Sequence, residues 1–180
     1  MPRYGVGVSA FSSVLIANRG EIAVRVIRAC AKPREHELGD GTWIIDEMID
    51  AYCELHRLGH AHSVEVWRAG ELVGGLYGVS LGRQFFGESM FSLQSNTSKI
   101  GLATLAEQLR RWGFRSIDCQ LNSDHLASLG GEEIEREEFL RHIAAQIALP
   151  FPAGAWELDG DLTLEQAQTD RAATTGGNRP

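Results

Sequence analysis

The sequence predicts an α/β fold in which helices flank a mixed, largely antiparallel sheet. Three observations lead to this prediction. Apolar residues recur at helical spacing between residues 45 and 56, segments of strand-like sequence follow one another between residues 62 and 91, and two further helical segments enclose one more strand between residues 98 and 148. Hydrophobic residues make up 43% and charged residues 23% of the 180 positions, which is typical of one globular domain with a sizeable core.

An N-terminal segment precedes these elements. Val14–Ala17 is an apolar run suited to a buried strand, and Gly20 opens an amphipathic helix. Residues 31–40 are charged and contain a proline and a glycine, which predicts a linker. We therefore expect residues 1–40 to form a strand–helix segment with a linker, ahead of a main domain at residues 41–150.

The first helix of the main domain is followed by a predicted series of strands. Thr42 can cap this helix, and Gly59 is a natural end for it. The segments HSVEVWR, ELVGGLYGVSLG and RQFFGESMF then predict a three-stranded antiparallel meander. Gly74 and Gly75 lie inside the middle strand, which indicates a bulge or a close approach of a ligand to the backbone. The apolar face of the helix is formed by Ile45, Met48, Ile49, Tyr52 and His56.

The last part of the main domain alternates helix and strand. A helix is predicted from Ser98 to Trp112 with Gly113 after its end, and FRSIDCQL is predicted to be a strand. EREEFLRHIAAQIA is a third helix with an acidic N-terminus. The order of helix, three strands, helix, strand and helix is that of the acetyltransferase (GNAT) type of α/β fold. Residues 151–180 are predicted to be a polar, disordered tail.

Composition and charge exclude some classes of protein. No apolar run approaches the ~18 residues of a membrane span, and we find no signal-peptide pattern. Three cysteines without CxxC spacing indicate a reducing, cytoplasmic environment. The net charge of −7 is uneven, since residues 1–34 carry +5 and the remainder −12. A basic arm suits nucleic acid and an acidic body suits cationic peptides, although simple solvation explains the charges equally well.

Seven short motifs follow one another between residues 41 and 130. They are GTWI, AYCELHRLGHAHSVEVW, LVGGLYGV, GESMFS, SK, IDCQ and HLASLG. In this order they resemble the leucyl/phenylalanyl-tRNA–protein transferases, the aminoacyltransferases of the bacterial N-end rule. VIRACAKPRE is similar to the family segment just ahead of GTWI, so the resemblance spans residues 26–148.

This resemblance implies a reaction and its partners. The family transfers Leu or Phe from aminoacyl-tRNA to an acceptor protein whose N-terminal residue is Arg or Lys, which marks the acceptor for degradation. The α-amine of that residue attacks the ester carbonyl. The resemblance implies no metal and no small cofactor, and we expect a cytoplasmic monomer without a membrane partner.

A carboxylate and an amide in the IDCQ motif are the candidate catalytic residues. Asp118 and Gln120 lie two apart on the predicted strand, so they should share one face while Cys119 points away. Such a pair can take a proton and steady a developing oxyanion. From spacing alone, a buried pair that braces the sheet is the better explanation. The resemblance implies that Gln120 contacts the attacking amine and Asp118 polarises or orients it; which of them takes the proton is left open.

The resemblance also implies substrate-binding residues. Glu88, near the end of the neighbouring strand, would add a negative charge where an N-terminal Arg or Lys binds. Trp43 would stack on the terminal adenine of the tRNA, and Met90 is flexible enough to admit both Leu and Phe. Without the resemblance, each residue has an ordinary explanation. Glu88 would be an exposed carboxylate at a strand end, Trp43 would pack on the core, and the apolar residues of the helix would be part of the core. The pocket for the transferred side chain would be formed by Phe85, Met90, Ile117, Leu102, Leu105 and Leu109.

Three other kinds of site are less well supported. His56 and His60 have the spacing of metal ligands on a helix, with His62 nearby, but Gly59 should end that helix between them. Cys119 with His125 could form a thiol nucleophile, yet strand alternation turns Cys119 away from Asp118. A coenzyme A site would need a glycine-rich turn at the start of the second helix, where SNTSKIGLATL has a single glycine inside the helix.

The N-terminal stretch has a resemblance of its own. FSSVLIANRGEIAVRVIRAC (11–30) resembles the first strand and helix of biotin carboxylase, although the rest of an ATP-grasp enzyme does not fit in the chain. It stands where the transferases have an N-terminal domain with basic residues that help to hold tRNA. Because phosphate contacts dominate such affinity, two functions stay open: an aminoacyltransferase, or a non-catalytic or truncated domain that binds basic protein N-termini.

Overall fold

Five strands and five helices lie within the residues that the structure, a computed structural model, describes. These residues are 13–16, 20–30 and 46–162. The strands are β1 (Ser13–Ile16), β2 (Ala61–Arg68), β3 (Glu71–Leu81), β4 (Gln84–Ser92) and β5 (Ile117–Asp118). The helices are α1 (Gly20–Cys30), α2 (Asp46–Arg57), α3 (Thr97–Arg111), α4 (Asp124–Ala127) and α5 (Arg136–Ile147), and a 3₁₀ turn follows at Gly160–Leu162.

One sheet contains all of these strands in the order β1-β2-β3-β4-β5. The first four are antiparallel neighbours, and β5 lies parallel to β4. Tight turns join β2 to β3 and β3 to β4, where Gly70 and Gly82 have φ values of 80° and 55°. The connection from β4 to β5 runs through α3, since a parallel pair requires a crossover. The predicted α/β class and the predicted meander are both confirmed.

Helices cover both faces of this sheet. Leu76 and Tyr77, adjacent on β3, point to different faces, with α3 packed on the first and α1 and α2 on the second. None of the helices in the described residues is long and apolar enough to cross a membrane. The buried side chains of the α3 face are Val64, Val66, Val73, Leu76, Phe85, Leu105, Leu109, Phe114 and Trp156. Those of the other face are Val26, Ile27, Ile49, Tyr77 and Phe91.

The N-terminal segment belongs to this sheet. β1 pairs with β2 as an antiparallel edge strand, and Val26 and Ile27 of α1 are buried on the sheet. The predicted strand and helix of this segment are therefore confirmed as parts of one layered structure. The linker predicted at residues 31–40 and the helix cap predicted at Thr42 lie outside the described residues.

Most element ends agree with the predictions to within a residue or two, but β5 does not. Gly59 and Gly113 follow α2 and α3 with φ values of 81° and 83°, as expected for glycines that end helices. The strand predicted for FRSIDCQL is reduced to Ile117–Asp118, because only Phe85 and Phe86 of β4 pair with it. This shortening changes the geometry of the candidate site.

The two glycines inside β3 accommodate neighbouring protein rather than a ligand. A Cβ atom on Gly74 would lie 2.4 Å from the Thr97 Oγ1 atom at the start of α3. A Cβ atom on Gly75 would meet the backbone of β2. The register of β2 and β3 shifts beside Gly74, between Val66 and Trp67. The predicted irregularity is thus present, and the close approach is made by α3 and β2.

The segment after α5 packs on the sheet, so the disordered tail predicted from residue 151 is wrong for its first residues. Trp156 is 4% exposed and belongs to the core of the α3 face. The Phe151 ring lies 5.6 Å from that of Trp112 and 5.0 Å from that of Phe114, between centroids. Isolated aromatic residues give no periodic pattern, so the sequence did not reveal this packing. Residues 163–180 of the predicted tail lie outside the described residues.

His62 is a titratable group inside the core. Its side chain is 3% exposed, and its ring stacks on Trp156 with the centroids 3.6 Å apart. Burial, and to a lesser extent the neighbouring His56, lowers the pKa of His62 from 6.5 to about 3. Its Nε2 atom has no hydrogen-bond partner among the described residues. The folded protein therefore holds this imidazole neutral.

We expect His62 to make the protein less stable in acid. Between its unfolded pKa of 6.5 and its folded pKa of about 3, the unfolded chain binds a proton that the folded chain does not, so the free energy of unfolding falls as pH falls. From pH 7 to pH 5, the unsubstituted protein should lose about 2 kcal/mol more than His62→Gln. Urea denaturation of both proteins at the two pH values measures this difference, and equal losses would show that His62 titrates normally.

Candidate functional site

The candidate site lies where the parallel pair of strands β4 and β5 comes to an end. β5 pairs with Phe85 and Phe86 of β4 and ends at Asp118. Just beyond, the register of β4 with β3 shifts and leaves Glu88 in a bulge. Glu88 was expected near the end of its strand, but it lies within β4, at this bulge. Gln120 follows on the other side of the gap between the strands.

Asp118 and Gln120 meet through a turn and not through strand alternation. Gln120 has a left-handed backbone with a φ of 62°. Its N–H group donates a hydrogen bond of 2.8 Å to the Asp118 Oδ1 atom. The prediction of a shared strand face is therefore wrong, because β5 ends before Gln120. A left-handed conformation costs a non-glycine residue ~1–2 kcal/mol, and such strain is concentrated at functional sites.

The Gln120 side chain spans the gap between the two strands. Its Nε2 group donates to the Gly87 carbonyl oxygen at 3.1 Å and lies 3.4 Å from the Glu88 Oε2 atom. The same Glu88 oxygen accepts a hydrogen bond of 2.8 Å from the Tyr52 hydroxyl of α2. One chain of contacts thus joins Tyr52, Glu88, Gln120 and Asp118. Because Nε2 is used within the protein, Oε1 is the atom of Gln120 that can accept a hydrogen bond from a substrate.

Sequence reasoning missed the two tyrosines behind this group. The rings of Tyr52 and Tyr77 meet edge to face with their centroids 5.0 Å apart. Burial, and then the hydrogen bond to Glu88, raises the pKa of Tyr52, and burial raises the pKa of Tyr77. Both hydroxyls therefore stay protonated at neutral pH, and Tyr52 is a donor to Glu88. In the sequence, Tyr52 is one more residue of an amphipathic helix face, a pattern that core residues share.

Two clefts meet this group of side chains from the two faces of the sheet. The first has a volume of about 510 Å³ and lies between α2 and the strands β3 and β4, with Tyr52 and Glu88 among its lining residues. The second has a volume of about 360 Å³ and lies between α3 and the segment around β5. Ile117 and Cys119 line the second cleft on either side of Asp118. Tyr52 and Glu88 can therefore contact a molecule in the first cleft, and the second cleft is lined by the two sequence neighbours of Asp118.

The six apolar residues predicted to bind the transferred side chain lie in one cluster on the α3 face. Leu102, Leu109 and Ile117 line the second cleft. The others lie in the core behind that cleft or pack against it, so they shape it indirectly. They are Phe85, Met90 and Leu105.

A series of hydrogen bonds holds the segment that leads into β5. The Ser116 hydroxyl donates to the Gln84 Oε1 atom at 2.9 Å, and its Oγ lies 2.8 Å from the His142 Nε2 atom. Because the Gln84 oxygen can only accept, the His142 Nε2–H group must donate to Ser116. Gln84 is 1% exposed and donates in turn to the Phe85 carbonyl oxygen at 3.1 Å. These bonds fix the position of Asp118 relative to β4 and α5.

The remaining candidate residues lie elsewhere. Trp43 lies outside the described residues. The His56 Nδ1 atom is 2.7 Å from the Ala61 carbonyl oxygen, and His62 is stacked in the core. In the part of the chain that the structure describes, no three His, Cys, Asp or Glu side chains are grouped so as to hold a metal ion. Burial raises the pKa of the Cys119 thiol, which disfavours the thiolate that a nucleophile requires.

Solved structures similar to this chain are acetyltransferases. An aminoglycoside N-acetyltransferase in complex with CoA matches 68% of this chain and 89% of its own length, with a TM-score of 0.48 and 18% identity. An aminoglycoside acetyltransferase from an uncultured soil metagenomic sample matches 68% of this chain and 91% of its own, with a TM-score of 0.47 and 16% identity.

Other relatives share much more of the sequence than these acetyltransferases do, and they are tRNA–protein transferases. The leucyl/phenylalanyl-tRNA–protein transferase of Pseudomonas fluorescens is 59% identical over 125 residues, which are 69% of this chain and 54% of that protein. That of Nitrosospira multiformis is 62% identical over 118 residues, which are 66% of this chain and 50% of that protein. The chain thus spans about half the length of these relatives. Since the family model for leucyl/phenylalanyl-tRNA protein transferase also matches residues 20–144, the chain belongs to this family.

Proposed function

We propose that this chain carries the site of an aminoacyltransferase that moves Leu or Phe from aminoacyl-tRNA to the N-terminal Arg or Lys of an acceptor protein. The observation that carries the proposal is the hydrogen-bonded group of Asp118, Gln120 and Glu88, which lies between two clefts. Such a transfer must bring two substrates together, one with an apolar side chain and one with a cationic end. The names of the relatives support the same activity.

The chemistry requires an amine that can attack an ester. Its nitrogen forms a bond to the carbonyl carbon, the bond from that carbon to the ribose oxygen of the tRNA breaks, and the proton lost by the amine balances the one gained by the ribose oxygen. The Oε1 atom of Gln120 accepts a hydrogen bond from an N–H group of the amine and so orients the lone pair of the amine nitrogen toward the ester carbon. The Asp118 carboxylate, bound to the Gln120 N–H group, stabilises the positive charge that grows on the nitrogen.

The two clefts suit the two substrates. The second cleft, with Leu102, Leu109 and Ile117 in its walls, takes the Leu or Phe side chain of the aminoacyl-tRNA. Glu88 supplies the negative charge for the cationic acceptor residue, and Trp43 stacks on the terminal adenine. These three walls are apolar and offer the side chain no hydrogen bond, which suits Leu and Phe equally, while Arg110, Arg115 and Ser116 supply polar groups elsewhere in the lining.

A transfer assay tests the proposal. The chain is incubated with radiolabelled leucyl-tRNA and a peptide with an N-terminal Arg, and the label is followed from tRNA to peptide. We expect transfer to this peptide and none to the same peptide with an acetylated N-terminus, because the α-amine is the nucleophile. Absence of transfer at every tRNA and peptide concentration up to saturation of peptide binding would overturn the proposal.

A second candidate function is binding without catalysis. A domain that binds basic protein N-termini through the carboxylates of Glu88 and Asp118, which Gln120 joins, is the alternative. Peptide binding that persists without any transfer would favour it.

Several features around the site complete the proposal. Residues 1–34, with a charge of +5, contact tRNA phosphates. The chain is divided into an N-terminal segment (1–40), a transfer domain (41–150) and a C-terminal tail (151–180). The protein acts in the cytoplasm as a monomer, and the modified acceptor enters N-end rule degradation. The resemblance of residues 11–30 to biotin carboxylase stays a prediction; it concerns the origin of this strand and helix and implies no nucleotide site.

Replacing Gln120 with Gly should separate stability from activity. Glycine adopts a φ of 62° without strain, which offsets the loss of the exposed side-chain bond to Gly87. We expect the free energy of unfolding to change by less than about 1 kcal/mol, while transfer falls with the loss of the amide. Thermal denaturation and the transfer assay on the same preparation measure both. A large loss of stability would show that Gln120 is mainly structural.

A further inference from the structure

Glu88 is the one residue of the first cleft, between α2 and the hairpin of β3 and β4, that has a role in the proposed reaction; the apolar remainder of this cleft has none so far. It runs along the hairpin from Leu81, beside the turn, past the paired residues Val79 and Phe86, to Glu88 and Tyr52. Glu88 is the only carboxylate or cation among its lining residues within the described chain. The apolar walls are formed by Met48, Ala51, Leu55, Val79, Leu81 and Phe86.

This apolar surface is open to solvent. Leu81 is 41% exposed, and Ala51 on α2 is also exposed. A patch of exposed apolar side chains that ends at a charged group is typical of an interaction surface. The charged group here is the Glu88 carboxylate, whose Oε2 atom lies 3.4 Å from the Gln120 Nε2 atom. The end of the cleft at Glu88 therefore lies next to the Gln120 side chain.

We infer that this cleft binds an apolar side chain at position two or three of the acceptor polypeptide, an inference that rests on the proposed function. The α-amine of the acceptor must reach Gln120, and consecutive Cα atoms are only ~3.8 Å apart. Residues two and three must then lie on the surface next to Gln120. The second cleft takes the side chain of the aminoacyl-tRNA, so the acceptor chain leaves across the other face of the sheet, over the first cleft.

The charges around the cleft add a second preference. The acceptor begins with a cation, which pairs with Glu88 at the end of the cleft. Along α2, the side chains of Glu47, Asp50 and Glu54 are exposed beside the apolar residues that line it. Glu54 is paired with Arg57, so an acidic residue at position two or three of the acceptor would meet the carboxylates of Glu47 and Asp50 and an apolar wall. The cleft thus selects for apolar residues and against acidic ones.

Binding of short peptides to the 180-residue chain tests this inference without tRNA. Three fluorescent hexapeptides share an N-terminal Arg and a Gly/Ser background, and carry Phe at position two, Phe at position three, or no Phe. Fluorescence anisotropy should give a Kd about tenfold lower for at least one Phe peptide than for the plain peptide, the effect of burying one apolar side chain. Asp at the same position should weaken binding relative to the plain peptide.

Two substitutions locate this preference in the cleft. Leu81→Asp places a charge in the apolar wall, and Ala51→Trp fills the cleft from the exposed side of α2. Each should abolish the advantage of the Phe peptide over the plain peptide measured with the same variant. Leu93→Asp is the matched control, because Leu93 is 71% exposed and does not line the cleft; it should keep the advantage.

The possible outcomes are distinct from those of the transfer assay. Equal affinity for all three peptides, a preference that survives both cleft substitutions, or no binding of any N-terminal Arg peptide would overturn the inference. Transfer of leucine without a preference for the Phe-containing acceptor peptides would support the proposed function and rule out the role of the cleft. A preference for these peptides without any transfer would support the role of the cleft and rule out the proposed function.

Discussion

Replacing Asp118 with Asn is expected to lower kcat for aminoacyl transfer by about 10²–10⁴-fold while the protein stays folded. The Asn Oδ1 atom can still accept the hydrogen bond from the Gln120 N–H group that Asp118 accepts at 2.8 Å. The turn is therefore kept and only the negative charge is lost. Because that charge stabilises the nitrogen only as the new bond forms, KM for the acceptor should change much less than kcat. Steady-state kinetics with saturating leucyl-tRNA measure both.

Two further variants complete this test. Asp124→Asn removes an exposed carboxylate from α4, six residues further along the chain, and should leave kcat unchanged. Asp118→Ala removes both the charge and the acceptor of the Gln120 N–H group, so it should lower activity further than Asp118→Asn and free the turn. If Asp118→Asn retains full activity and Asp118→Ala does not, Asp118 is a positioning residue and not a catalytic one.

The order of elements and the residue types of the site could be predicted from the sequence. Period-two and helical patterns identified the strands and helices, and the motif order led to Asp118, Gln120 and Glu88. The structure brings these three together. What joins them could not be predicted, because strand alternation assumes that a strand continues. β5 stops at Asp118 as its pairing with β4 ends, and Gln120 then enters a left-handed turn.

The bulge in β4 was hidden for a similar reason. The nine residues of β4 predict a regular strand. The bulge arises from the pairing of β4 with β3, whose register shifts between Tyr77 and Gly78. Tyr52 was visible only as part of an amphipathic helix, since its contact with Glu88 joins residues 36 positions apart. Long-range contacts of this kind leave no mark in a local pattern. The positions of the candidate residues in the chain were thus easier to predict than the contacts between them.

Loss of the Trp156 side chain should destabilise the protein strongly. Its ring stacks on His62, and it lies 5.0 Å from the ring of Trp112 and 5.8 Å from that of Phe114, between centroids. Trp156→Ala should lower the free energy of unfolding by about 3–5 kcal/mol, because it removes a large buried side chain and leaves a cavity. Leu93→Ala, at a position that is 71% exposed, should change it by less than about 0.5 kcal/mol. Urea denaturation at pH 7 measures both.

The same substitution decides what holds the C-terminal segment on the sheet. Arg111 also ties this segment to α3, through ion pairs of 2.9 Å with Asp159 and 2.7 Å with Asp161. These pairs are partly exposed, so Arg111→Gln should cost much less than Trp156→Ala. Opening the core at Trp156 should also hydrate His62 and move its pKa back toward its ordinary value, which would reduce the loss of stability between pH 7 and pH 5. If Arg111→Gln is the more damaging change and the pH dependence is kept in Trp156→Ala, the ion pairs hold this segment and the aromatic packing does not.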